Sequence, residues 1–196
     1  MHILSPRSAL PLRLEYVLLG LVRRQPIHGY ELLQRWNEPN GLSLIWRVKP
    51  GPLYAALEKL EQLGHLDSLL IPGESSPPRK EYRITAAGEQ AFLNWMKTPV
   101  SAARDFRQDF LARLFFRQDV SPVLMEALLA QQEIICQRWL ISLRKQLNDS
   151  VEFDRQVFTF RICQVQGILN WLKELSATGS SFSPGEQVLN GLSMHA

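Results

Sequence analysis

Cysteine is scarce in this chain: Cys136 and Cys163 are the only two, and neither has a second cysteine or a histidine near it in sequence. That scarcity argues against a disulfide framework and a zinc site, and leaves both residues as expected packed thiols in helical segments. Long apolar runs are missing too. No stretch approaches the roughly eighteen residues needed to cross a bilayer, and the opening MHILSPRSALPLRLEY lacks the continuous apolar centre of a signal peptide. A cytoplasmic protein without a membrane partner is therefore expected. Charge of one sign is also in short supply, the formal net charge being +3. The chain contains no nucleophile elbow, no HExxH helix and no phosphate-gripping glycine loop, so no catalytic residue, metal ligand or cofactor is expected, and the chain does not read as an enzyme.

What is present is a 196-residue chain with an apolar fraction of 45%, enough for a real core, so two modest domains or one with a large appendage are expected. Its charge is unevenly placed. Residues 1–98 hold 12 basic and 9 acidic side chains, whereas residues 99–196 hold 10 of each, so any nucleic-acid surface belongs in the first half. The stretch Pro50 to Leu66, PGPLYAALEKLEQLGHL, organises that half. Leu53, Ala56, Leu57 and Leu60 recur at helical intervals and give one apolar face, leaving the opposite face free. Gly51 is expected at the N-cap, Pro52 at the first helical position and Gly64 just past the end. Arg47 and Lys49 precede this helix and Tyr54 lies in its first turn, a mix of charge, hydroxyl and ring suited to a DNA groove. It reads as the recognition helix of a helix-turn-helix.

Around it, a mixed arm over residues 1–11 leads into a helix over about 12–24 with a broad apolar face. Gln25 and Pro26 interrupt, His28 reads as a loop or helix-start residue, and a second helix, GYELLQRW, turns Leu32, Leu33 and Trp36 inward. Asn37 to Leu42 is a turn. After Gly64, His65 to Ile71 and Glu81 to Thr85 read as two strands of a wing, separated by a loop over 72–80 that ends in Arg79 and Lys80, candidate phosphate contacts. Thr85 caps a further helix toward Phe92, Trp95 and Met96.

Three pieces in this order, HGYE at His28 to Glu31, PGPLYAALEKLEQLG at Pro50 to Gly64, and PRKEYRITAAGEQAFLNW at Pro78 to Trp95, resemble the PadR family of winged-helix transcriptional regulators over roughly residues 12–98. The resemblance implies that Gly29 and Tyr30 open the second helix, that Tyr54 lies at the DNA, and that Tyr82, Thr85 and Gly88 form the second wing strand and its exit. It also implies a regulator that most often represses. Pro52 departs from the family, which usually carries a small hydroxyl residue near that position, and its presence removes a possible phosphate contact.

In the second half, Pro99 and Ser101 to Ala103 read as a joint. Phe106, Phe110, Leu111 and Leu114 then keep helical spacing, with Arg107, Arg113 and Arg117 expected outside. Ser121 and Pro122 start a helix reaching about Asn148, and a last helix runs from about Phe153 to Leu175 with Val157, Phe160, Gln164, Ile168, Trp171 and Leu175 along one side. Two long apolar stripes without a third layer call for the same pair from a second copy, so a homodimer is expected. This half is similar to the C-terminal domain of the longer, virulence-activator-like branch of the same family. The expected fold is mostly α with a small β-wing: a winged helix-turn-helix over 1–98, an antiparallel long-helix dimerisation domain over 99–176 and a flexible tail over 177–196.

The expected partner is double-stranded DNA, read as a near-palindromic operator through Arg47, Lys49, Tyr54, Lys59, Arg79 and Lys80. A small-molecule effector is a further candidate partner, with Trp139, Phe158 and Trp171, and Phe160 beside them, as candidate lining, although aromatic stripes on helices more often form core. Two other readings remain open: a protein-interaction adaptor on a winged-helix scaffold, with Tyr54 and Trp46 as the contact, and a sensor whose main task is ligand capture.

Overall fold

The structure, a computed structural model, describes residues 13–72 and 78–177. The arm expected over 1–11, the middle of the wing loop and the tail from residue 178 lie outside the described residues. By its internal contacts the chain forms two compact units, Met1–Leu128 and Leu129–Ala196.

In the first unit, helix α1 (Arg13–Arg24) is apolar on more than one face, because it packs against several partners at once. Val17, Leu18, Leu19, Leu21 and Val22 are all buried. Strand β1 (Ile27–His28) follows, and helix α2 (Gly29–Asn37) buries Leu32 and Trp36 as the helical spacing predicts. A 3-10 turn over Leu42–Leu44 leads toward helix α3 (Pro50–Gln62). Strands β2 (Leu66–Ile71) and β3 (Arg79–Ile84) are antiparallel and form the wing; β1 pairs with the other edge of β3, giving the order β1-β3-β2. A two-residue strand shows no alternation, so β1 was not visible in the sequence.

Helix α3 keeps its expected inner face, with Leu53, Ala56, Leu57 and Leu60 buried. Its start differs from expectation. Lys49, not Gly51, is the N-cap, and Pro50 takes the first helical position, since its fixed φ suits that site as well as Pro52 would. The end is as predicted. Gly64 adopts φ +67, its N–H donates to the Glu61 carbonyl (2.9 Å) and the His65 N–H donates to the Leu60 carbonyl (2.9 Å), the paired bonds of a Schellman motif.

Helix α4 (Ala86–Lys97) begins with Thr85, whose hydroxyl accepts from the Gly88 N–H at 3.1 Å and donates to the Gly64 carbonyl at 2.7 Å. Gly88 allows this return of the chain: a Cβ there would lie 2.1 Å from the His65 carbonyl oxygen, a backbone atom that cannot step aside. Phe92, Trp95 and Met96 of α4 are buried as expected.

Past the joint, the first unit continues with a 3-10 turn (Ala103–Asp105) and helix α5 (Phe106–Phe115), whose Phe106 and Phe110 stack at 4.5 Å between ring centroids. Arg107 is exposed, but Arg113, expected outside, is only 3% accessible. Its Nε donates to the Trp95 carbonyl at 2.9 Å, its Nη1 lies 2.8 Å from the Asp109 carboxylate, and its guanidinium sits 4.7 Å from the centre of the Trp95 ring. Trp95 Nε1 also donates to Asp109, at 2.9 Å. A carbonyl of the last turn of α4 and a carboxylate one turn earlier on α5 thus draw the arginine inward, a pairing that no one-helix spacing discloses. At the end of α1, Arg23 pairs with Glu89 (2.7 Å) and Arg24 with Asp119 (2.8 Å).

Helix α6 (Pro122–Asn148) starts with Ser121, whose hydroxyl accepts from the Leu124 N–H at 3.3 Å. In the second unit, α6 and helix α7 (Glu152–Ala177) run antiparallel, and the Ser176 hydroxyl reaches Glu133 at 3.3 Å. Cys136 and Leu140 of α6 and Val165, Leu169 and Leu172 of α7 are buried. The stripe expected to face inward on α7 is the other one: Val157, Ile168, Trp171 and Leu175 are half-buried, while Phe160 and Gln164 are exposed. Cys163 is likewise exposed rather than packed. Cys136 is buried, and burial pushes its thiol up to about 11, against the smaller opposing effect of a hydrogen bond from Gln132.

Replacing Arg113 by Ala strands the Asp109 carboxylate and the Trp95 carbonyl in a mostly dry setting, so an Arg113→Ala variant is expected to lose about 3–5 kcal/mol of stability in urea unfolding. A loss below about 1 kcal/mol shows that the pair contributes little.

Candidate nucleic-acid interface

Three pieces of backbone set the approach to α3. The Asn37 side chain brackets Val48, its Nδ2 donating to the Val48 carbonyl (2.9 Å) and its Oδ1 accepting from the Val48 N–H (3.2 Å). Trp36 Nε1 donates to the Trp46 carbonyl at 3.0 Å, and the two indoles meet edge to face at 5.1 Å. Val48 is buried, so its neighbours Arg47 and Lys49 point the other way, exposed and without a salt bridge among the described residues. Asn37 read only as a turn residue in the sequence. Its clamp on Val48 spans a loop of irregular backbone, and no spacing rule ties those two positions together.

On α3 itself, Tyr54 and Glu58 are exposed and Glu61 is half-exposed, opposite the buried leucines. Tyr54 is 44% accessible, and its ring lies against Gly29: a Cβ at residue 29 would come within 2.7 Å of the ring. The start of α2 therefore seats this tyrosine, which gives the Gly-Tyr pair a physical purpose. The two helices and β3 enclose an open cleft of about 470 Å³, lined by His28, Gly29, Tyr30 and Glu31 on one side and by Tyr54, Arg79, Lys80 and Tyr82 on the other. His28 Nδ1 lies 3.1 Å from the Lys80 carbonyl, and the Tyr30 hydroxyl accepts from Gln34 at 3.0 Å. Phenols, a guanidinium, an ammonium and the positive end of α2 meet here, a set of groups that suits an anion such as a phosphate.

The expected DNA contacts are thus not all placed alike. Tyr54, Arg79 and Lys80 share the cleft, and Arg47 and Lys49 stand exposed before α3. Arg79 and Lys80, expected to end the loop, belong instead to β3, in register with Ile71 and Leu70, because the ladder continues two residues farther than the alternation of Tyr82 and Ile84 reveals. Lys59 faces α1, with its Nζ 2.8 Å from Glu15. Lys80 Nζ lies 3.0 Å from Glu61. Trp139, Phe158 and Trp171 lie in the second unit, each half-buried, with the Arg161 guanidinium 5.9 Å from the centre of the Phe158 ring.

Tyr82 forms the floor of the cleft. Burial, and then the negative charges of Glu61, Tyr54 and Glu58, push its phenol from 10.0 up to about 12. The neutral form is favoured in the fold, so this contribution to stability is complete below pH 10 and is lost as pH rises toward about 12. A Tyr82→Phe variant, followed by urea midpoints across that window, is expected to show a shallower alkaline loss of stability than the unsubstituted protein. Equal slopes in both proteins mean that Tyr82 ionises without hindrance.

No helix among the described residues is long and apolar enough to cross a membrane. Residues 18–94 match the profile of the transcriptional regulator PadR-like family. The negative transcriptional regulator PadR of Bacillus subtilis (strain 168) is 24% identical over 124 residues, which cover 61% of this chain and 67% of that protein. Among solved structures, Bacillus subtilis PadR in complex with operator DNA is similar at 21% identity and a TM-score of 0.44, covering 84% of this chain and 98% of the other. A PadR-like regulator of Bacillus cereus is similar at 21% identity and a TM-score of 0.42, covering 87% and 97%. The match to the PadR-like family of transcriptional regulators thus spans residues 18–94, which carry α3, the wing and the cleft between them.

Proposed function

We propose that the protein is a cytoplasmic repressor that binds a near-palindromic operator as a homodimer and acts by occupying a promoter. The observation that carries the reading is the pair Arg47 and Lys49, exposed on either side of buried Val48 immediately before the outward face of α3. Two exposed cations and the Tyr54 hydroxyl at the start of a helix buried along its back match what a major groove and its flanking phosphates require. The repressing sign follows the Bacillus subtilis relative, described as a negative regulator.

In this reading the segment 99–176 serves dimerisation. Its support is the apolar surface that α6 and α7 leave outward, where Ile141 is 69% and Phe160 is 68% accessible and Ile134 and Phe153 are exposed beside them. A second copy covers such surface and holds two recognition helices about 34 Å apart, one turn of the duplex. We further place an aromatic effector at Trp139, Phe158 and Trp171 in the helical unit, where half-buried rings offer stacking area.

Each lost phosphate contact should lower the slope of log affinity against log salt by about 0.9 and weaken binding to all sequences alike. Arg47→Ala and Lys49→Ala are expected to do so in titrations with duplex DNA, while the protein sediments as a dimer. Salt-tolerant capture of a protein partner with no DNA affinity favours the adaptor reading and overturns this one. Tryptophan fluorescence across a panel of small aromatic compounds tests the effector site: quenching is expected for at least one compound and is expected to weaken in Trp171→Phe.

A further inference from the structure

Among the described residues, Lys80 is the cleft cation whose charge is already answered from within the chain. Its Nζ lies 3.1 Å and 3.0 Å from the two oxygens of Glu61, which α3 supplies from its last turn. The Ser68 hydroxyl of β2 also donates to that carboxylate. The register explains the convergence: Ser68 opposes Tyr82 and Leu70 opposes Lys80, so Ser68 and Lys80 project from the same face of the wing, the face turned to α3. The two partners differ in their access to water. The Lys80 side chain is 49% accessible and that of Glu61 is 22%, so the carboxylate is fixed from below while the ammonium remains within reach of an arriving ligand.

Other ion pairs of this unit lack that position. Arg83 pairs with Glu81 on the opposite face of β3, and Lys59 pairs with Glu15 of α1; neither Lys59 nor Arg83 lines the cleft. A half-exposed pair of this kind is weak and exchangeable. A phosphate entering the cleft meets Lys80 beside Arg79 and Tyr54, and to engage it must take the ammonium from Glu61. The exchange leaves an uncompensated carboxylate facing the DNA backbone.

Resting on the reading of α3 and the wing as the DNA face, we propose that Glu61 is an affinity-setting residue that competes with backbone phosphate for Lys80. The carboxylate serves two ends. In the free protein it ties both wing strands to α3, and in the complex it restrains the strength of binding that every duplex enjoys whatever its sequence. Its removal strengthens binding through Lys80 in particular.

The test is a double-mutant cycle on the full chain, with Glu61→Gln, Lys80→Ala and the double variant titrated against a short mixed-sequence duplex at several salt concentrations. Glutamine keeps the shape and an oxygen for Ser68, and urea midpoints establish that each variant is folded. Glu61→Gln is expected to bind roughly fivefold tighter at low salt, with a gain that shrinks as salt rises. In the Lys80→Ala background the same change is expected to give less than a twofold gain. An equal gain in both backgrounds shows that Glu61 acts only as a nearby negative charge, and overturns the proposal. No gain in Glu61→Gln, while the unsubstituted protein binds, overturns it as well. Failure of the unsubstituted protein to bind duplex at any salt overturns instead the reading of this face as a DNA surface, and the proposal with it.

Discussion

Helix α3 can be buried in only one orientation about its own axis, and the rest of the interface depends on that constraint. Leu53, Leu57 and Leu60 are almost wholly excluded from water. Each such burial contributes about 1.5–3 kcal/mol, so a rotation that exposed them would forfeit much of the stability of a small domain. With the back of the helix committed, Tyr54, Glu58 and Glu61 are left on the front. α1 presses on the inner side, the start of α2 seats Tyr54 through Gly29, and the wing approaches the last turn through Glu61. What faces outward is therefore decided by what is inside.

The polar contacts act on this frame at a finer scale. The Asn37 amide, the Trp36 indole and the Thr85 hydroxyl each satisfy backbone groups that irregular chain leaves open. These bonds fix the segment before α3 and the chain's exit from the wing, which hydrophobic burial alone leaves loosely placed. The Arg113 and Asp109 pair does the same for the joint after α4, closing the helix end with a side chain instead of water.

Periodicity made the helices of the first unit legible, and turn residues made their ends so: Gly64 and Thr85 stand where their chemistry places them. The long helices α6 and α7 were legible for the same reason, Ser121 marking the start of α6. Contacts between elements were not. β1 is too short to alternate, the inward turn of Arg113 depends on a carbonyl from another helix, and the choice between two apolar stripes on α7 depends on which side α6 occupies. Within the site, Tyr54, Arg47 and Lys49 could be picked by type and position. The engagement of Lys59 with Glu15 and of Lys80 with Glu61 could not, because the partners are 44 and 19 residues apart in sequence.

The start of α3 carries a further consequence. A helix normally opens with N–H groups that have no partner within it, and these give its positive end a grip on anions. Here the first intrahelical bond runs from the Leu53 N–H to the Lys49 carbonyl (3.3 Å), and Pro50 and Pro52, which precede it, have no N–H at all. Only the amides of Lys49 and Gly51 remain as donors. Between those two amides the tip of the helix presents ring methylenes, so its backbone supplies few donors and hydrogen bonding at this end falls to the side chains of Arg47, Lys49 and Tyr54.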